Sequence, residues 1–204
     1  MMAAPVRLFR KLWRDTRGII AVEFAFILPI LVVLFTGAAE FGRILLLSQK
    51  LQNGAFILAD LVGRDQSISV TTLNDVFLAV DMIMEPFEFE DHGVAIVTSV
   101  SGTATLGPIV NWQLSGAGDL SATSVVNGLD GAAILPESLS LDTGETLLVT
   151  EVYYEFQPLF GLLLEPYTIH RIAYHRPRLG ILDELEGLDA LDGLTGGLET
   201  LDPL

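Results

Sequence analysis

The sequence predicts an α+β protein: a long N-terminal membrane-spanning helix packed on a small antiparallel-sheet domain. Three observations lead there. Residues 18–39 form a 22-residue apolar run with one charge, Glu23. A helical apolar stripe continues beyond it. Several β-rich runs then follow, separated by turn residues rather than by long helices, which favours antiparallel pairing.

The apolar run comes first. At a helical rise of about 1.5 Å per residue it reaches roughly 33 Å, close to a hydrocarbon core of about 30 Å. Lipid offers backbone groups no hydrogen bonds, so a spanning segment must be helical. Arg7, Arg10, Lys11, Arg14 and Arg17 put five of the eleven basic residues ahead of it. Such a cluster stays in the cytoplasm, so residues 1–18 read as a basic cytoplasmic leader, with the later chain translocated. Two residues depart from a plain anchor. Glu23 places a carboxylate where an unpaired charge costs about 3 kcal/mol or more, unless it snorkels to the membrane edge. Pro29 removes a helical hydrogen bond, although membrane helices tolerate proline.

Beyond residue 39, Phe41, Ile44, Leu45, Leu51, Ala55, Leu58, Ala59 and Val62 recur at mostly helical spacings. They predict a stalk running to about Gly63, with Arg43, Lys50 and Asp60 on the wetter side. Two helices broken near Gly54 are the alternative. A second helix is expected over 72–84, started by a Thr72/Asp75 capping-box-like pair and ended by Glu85-Pro86. Its buried face would be Leu73, Val76, Phe77, Val80 and Met84. Strands are expected over 94–100, with Ser101-Gly102 as a turn, and over 109–114, 146–156 and 167–174. Residues 115–145 read as a long connection. From Ile181 the leucines repeat every three residues, which winds around a helix rather than lining one face. Glycines and seven acidic residues add to this, so residues 181–204 read as a flexible acidic tail. The expected organisation is leader 1–18, transmembrane and stalk helix 19–63, exported domain 64–180 and tail 181–204.

Composition narrows the function. Net charge is −15, and after Arg64 only Arg171, Arg176 and Arg178 face 22 acidic residues, which argues against nucleic acid as a partner. Without cysteine there is no disulfide, thiolate metal site or cysteine catalysis. His170 and His175, five apart on a strand, point to opposite faces and make poor joint ligands. The cluster Glu85, Glu88, Glu90, Asp91 and His92 lacks the ligand spacing of an EF-hand and reads as a solvated turn. Neither a phosphate-binding glycine loop nor a nucleophile elbow is present. No catalytic residue, metal or cofactor is expected, and the protein is not expected to be an enzyme. Tyr153, Tyr154, Phe156 and Phe160 read as core and subunit-contact residues.

Arg17-Gly18 followed by Ile19-Ile20-Ala21-Val22-Glu23-Phe24 and an apolar run resembles the processing site of a type IV-type prepilin. With Leu28-Pro29 and Glu40-Phe41-Gly42-Arg43, it is similar to the TadE/TadG-like minor pseudopilins of the tight-adherence (Tad) pilus system. Further similarity falls on Val97-Thr98-Ser99-Val100, Val110-Asn111-Trp112-Gln113, Leu135-Pro136, the run 151–160, and Arg176-Pro177-Arg178. Glu23 is followed by Phe24 rather than the tyrosine usual in major pilins of this system, which favours a minor component. The resemblance implies cleavage after Gly18 by a prepilin peptidase, leaving Ile19 as the new N-terminus and Glu23 as its charge partner. It also implies membrane lipid, other pilins and pseudopilins, and the Tad secretion platform as partners. The setting would be the bacterial inner (cytoplasmic) membrane, with the C-terminal domain periplasmic or extracellular. Two other readings use the same apolar run: an uncleaved single-pass envelope or adhesion domain, and a secreted protein cut after Gly37-Ala38-Ala39 to begin at Glu40.

Overall fold

The computed structural model describes residues 17–65, 67–127, 131–178 and 181–187. Helix α1 (Arg17–Val62) opens the fold as one uninterrupted element that passes through Pro29 and Gly54. Strand β1 (Ile68–Ser69), helix α2 (Val70–Met84) and the short helix α3 (Phe89–His92) follow. Next come strands β2 (Gly93–Thr103), β3 (Gly107–Gly116), β4 (Thr146–Phe156), β5 (Tyr167–His175) and β6 (Leu185–Glu186). The chain divides into two compact units. One holds α1 up to Arg43 together with Pro158–Glu165; the other holds Ile44–Gln157 and the chain from Pro166 onward.

In the first unit, every described side chain from Gly18 to Phe35 is exposed. Burial begins at Thr36, Gly37 and Glu40. The Thr36 hydroxyl donates back to the carbonyls of Val32 (2.9 Å) and Val33 (3.1 Å), so it needs no outside partner.

In the second unit, four strands form an antiparallel sheet in the order β3-β2-β4-β5. Because side chains alternate, the sheet has two buried faces. One carries Ala95, Val97, Ser99, Trp112, Leu148, Thr150, Val152, Tyr154 and Phe156. Contacts from the helices reach this face: Phe77 lies against Gly116, Phe89 stacks on Tyr154, and Ser48 accepts from Arg171. The opposite face carries Val94, Ile96, Val100, Leu147, Val149, Glu151 and Tyr153. The 117–145 connection covers it with Leu120, Ala122, Val126, Ala133, Leu135, Leu139 and Leu141. Burial on both sides explains why β2 and β4 read as nearly continuous apolar runs.

Several expectations needed correction. The buried stripe of α1 is Leu47, Leu51, Ala55, Leu58, Ala59 and Val62, whereas Phe41 and Leu45 are exposed. Leu45 lies two residues from Leu47, about 200° around the helix, so both cannot face one core. Helix α2 begins two residues earlier than expected. Its N-cap is Ser69, whose hydroxyl oxygen accepts from the Thr72 N–H (3.2 Å), so Thr72 is already inside the helix. Its buried face is Leu73, Phe77, Val80 and Met84, with Val76 partly buried. Ser101 and Gly102 are not a turn but paired strand residues, opposite Ile109 and Pro108. A Cβ at Gly102 would come within 2.3 Å of the Asp142 carbonyl oxygen, so this glycine serves a close backbone approach. The turn follows it, where the Thr103 hydroxyl bridges the Gly107 carbonyl and the Leu106 N–H, and Gly107 takes φ +76°. Phe160 is exposed, unlike Tyr153, Tyr154 and Phe156.

The stretch expected to start a flexible tail at Ile181 is instead fixed at its beginning. Leu182 and Leu185 are buried, and Leu185-Glu186 pairs in parallel with Ile68-Ser69. The Leu182 carbonyl accepts from both Trp112 Nε1 (3.0 Å) and Ser99 Oγ. The rest of the tail, from residue 188, and the basic leader before Arg17 lie outside the described residues.

Candidate membrane and assembly site

Gly18, Ile19, Glu23 and Phe24 all fall in the first two turns of α1. Ile19 (55 % exposed), Phe24 (56 %) and Glu23 project outward, and a Cβ built on Gly18 meets nothing within 4 Å. Ile19 and Glu23 are four residues apart and share a helix face. Helical side chains lean toward the N-terminus, so a residue at position 23 covers the turn that holds Ile19. Glu23 makes no hydrogen bond or ion pair among the described residues.

At the other end of the exposed segment stands Glu40, whose sequence position gave no hint of its role. Its side chain is buried (2 % exposed), and Oε1 accepts the Phe160 N–H at 2.8 Å. Its Oε2 is buried without a hydrogen bond. One turn earlier, a Cβ on Gly37 would meet Leu163 Cδ1 at 3.1 Å, so the bare glycine lets that leucine approach. Glu40 and Gly37 therefore seat the 158–165 segment on the helix. The two partners of the Glu40 bond are 120 residues apart, which is why the sequence did not reveal it.

A second polar centre lies on the sheet. Glu151 is completely buried. It accepts from Ser124 Oγ, the Val125 N–H (3.1 Å) and the Tyr153 hydroxyl (2.8 Å). His170 Nε2 approaches Glu151 Oε1 to 3.2 Å, within ion-pair range but without hydrogen-bond alignment, while its ring stacks on Tyr153 at 4.2 Å. Burial, and then the hydrogen bond and charge of Glu151, push the Tyr153 hydroxyl pKa well above its ordinary value. Burial and the same carboxylate raise Tyr174. This is not a nucleophile–base array: the serine gives its proton to the acid, not to the histidine. The centre pins the 117–145 connection to the sheet. An acid in the middle of the apolar run of β4 was its sequence signal.

The remaining motifs also meet on the sheet. Thr98 opposes Gln113, with a 2.7 Å bond between their side chains, and Ser99 opposes Trp112. Asn111 is the extra residue of a bulge and donates to Ser99 Oγ (3.2 Å) and Ser101 Oγ (2.6 Å). Arg176 reaches Glu145, and Arg178 reaches Asp60. Bonding to Arg64 holds the Asp60 carboxyl below its usual range. His170 shares a sheet face with Glu151, whereas His175 lies on the other face against Gly63. Glu85, Glu88, Glu90 and Asp91 are exposed, while Phe87 and Phe89 between them are buried against Tyr154. No group of three or more metal-ligating side chains occurs among the described residues.

The fold is that of an α+β protein led by a helix long and apolar enough to cross a membrane. Residues 18–59 match the family model of TadE-like proteins. The match begins at Gly18 and ends near the close of α1. No curated protein and no solved structure matches the chain.

Proposed function

We propose that this protein is a minor pseudopilin, a structural component in the assembly of a Tad-type surface pilus, processed by prepilin peptidase after Gly18. The observation that carries the reading is the family match opening at Gly18, the residue at which the motif places the cut. The helix that follows is exposed along its apolar length, as a segment anchored in lipid requires.

Cleavage frees an α-amino group on Ile19. That cation and the Glu23 carboxylate are each costly to hold in or near lipid, and pairing offsets the cost. The pair forms within one chain or between neighbours, and between neighbours it also sets axial register. Phe24 and the surrounding apolar surface supply the packing. The N-terminus lies on the cytoplasmic side and the sheet domain beyond the membrane. Prepilin peptidase, other pilins and pseudopilins, and the Tad secretion platform are the partners, and the protein itself is not an enzyme.

Intact mass and N-terminal sequencing of the protein from its native cell test this reading. A chain beginning at Ile19 is expected. A chain that keeps Met1 supports an uncleaved anchored envelope domain instead, and one beginning at Glu40 supports signal-peptidase release. Gly18→Ala meets no neighbour in the fold and is expected to leave the sheet domain folded while the leader is retained.

A further inference from the structure

We propose that the β4–β5 connection, residues 158–165, is a second membrane contact that inserts its leucines into the bilayer interface beside α1. This rests on the anchoring of α1 in lipid but not on its cleavage.

The segment Pro158-Leu159-Phe160-Gly161-Leu162-Leu163-Leu164 contains no polar side chain. Leu159 (61 % exposed), Phe160 (53 %), Leu162 (57 %) and Leu163 (47 %) form a contiguous bare apolar patch. It belongs to the same compact unit as the exposed part of α1, so its surface continues the lipid-facing surface of the helix. Depth agrees. Gly37 and Glu40, which seat the segment, follow Gly18 by 19 and 22 residues. At about 1.5 Å per residue that is roughly 28–33 Å, the far edge of a hydrocarbon layer of about 30 Å.

Backbone polarity decides whether such a loop can enter that edge. An N–H left without a partner in an apolar medium opposes insertion. Glu40 removes this obstacle at Phe160 by accepting its N–H. Gly161 supplies a left-handed residue (φ +59°), allowing the chain to turn. The segment has no cation and is bracketed by Glu155 and Glu165, so attraction to anionic headgroups cannot drive the contact. The occupant fitting this chemistry is the headgroup–acyl boundary of the bilayer, entered by apolar burial.

The absence of native cysteine makes the test direct. The full chain carrying Leu162→Cys is labelled with an environment-sensitive fluorophore and reconstituted in phosphatidylcholine vesicles, with or without a lipid bearing a shallow nitroxide quencher. Leu159→Cys provides an independent probe should the first variant fold poorly. Val32→Cys reports the helix, and Leu106→Cys, on the exposed β2–β3 turn, reports water. Loop probes are expected to emit to the blue of the Leu106 probe and to lose most of their intensity with the quencher lipid. A Val32 probe that emits to the blue of Leu106, with loop probes that match Leu106, overturns the loop contact while leaving the anchor standing. A Val32 probe that emits like Leu106 overturns both. A blue shift insensitive to the quencher and lost on diluting protein in lipid identifies a second copy as the occupant and overturns the lipid assignment.

Discussion

Replacing Glu151 with alanine should strongly destabilise the sheet domain, because three donors converge on one buried carboxylate. Ser124 Oγ, the Val125 N–H and the Tyr153 hydroxyl would all lose their acceptor at once. Hydrogen bonds to a charged group are worth about 1.5–3 kcal/mol each, but three sharing one acceptor do not add independently. Breaking a buried charged network by removing one partner costs about 3–5 kcal/mol. The substitution also removes the carboxylate's own desolvation cost, so the lower end, about 3 kcal/mol, is expected. For a chain of this size that corresponds to a fall in melting temperature of about 6–12 °C. Glu151→Gln keeps one acceptor oxygen but turns an amide donor toward the others, and should fall between alanine and the native chain. Thermal unfolding of the full chain in detergent, followed by Trp112 fluorescence in a Trp13→Phe background, measures it. An alanine variant melting within about 2 °C of the parent would refute the centre as an anchor for the 117–145 connection.

Glu23→Ala should leave Gly18 processing largely intact while reducing incorporation into pili, scored by immunoblot of sheared surface fibres against whole-cell protein. Glu40→Ala should release the Phe160 amide, whose hydrogen exchange in micelles should accelerate about tenfold, matching roughly 1.4 kcal/mol for one lost hydrogen bond; Glu40→Gln, which keeps an acceptor, should exchange more slowly than the alanine variant. Tyr153 has a folded-state pKa raised above its unfolded value of 10.0, so its contribution to stability is complete below pH 10 and is lost as pH rises toward the folded value. Urea midpoints above pH 10 should therefore drop less steeply in Tyr153→Phe than in the parent.

Much of this fold was legible because burial on both sheet faces writes itself as unbroken apolar runs. Residues 146–156 and 167–174 needed no tertiary knowledge to recognise. Ser101-Gly102 misled because glycine marks both a turn and a close approach, and only the position of the Asp142 carbonyl distinguishes them. Phe41 and Leu45 misled because roughly helical spacing does not fix one face: Leu45 lies about 200° around the helix from the buried Leu47. Gly18 and Glu23 stood out because a charge inside a lipid-length apolar run is conspicuous in one dimension. The polar centre on Glu151 and the Glu40–Phe160 bond did not, since Val125, Ser124 and Phe160 lie 26 to 120 residues from the carboxylates that accept from them.

Strand β3 forms one rim of the sheet, and three features close it to newcomers. Pro108 offers no amide proton, the Asn111 bulge breaks the regular spacing, and Ala132 already bridges Ile109. Molecules confined to a bilayer collide far more often than molecules free in three dimensions. A bare rim under such crowding would fuse sheets into disordered aggregates, and β3 offers no regular template for that pairing.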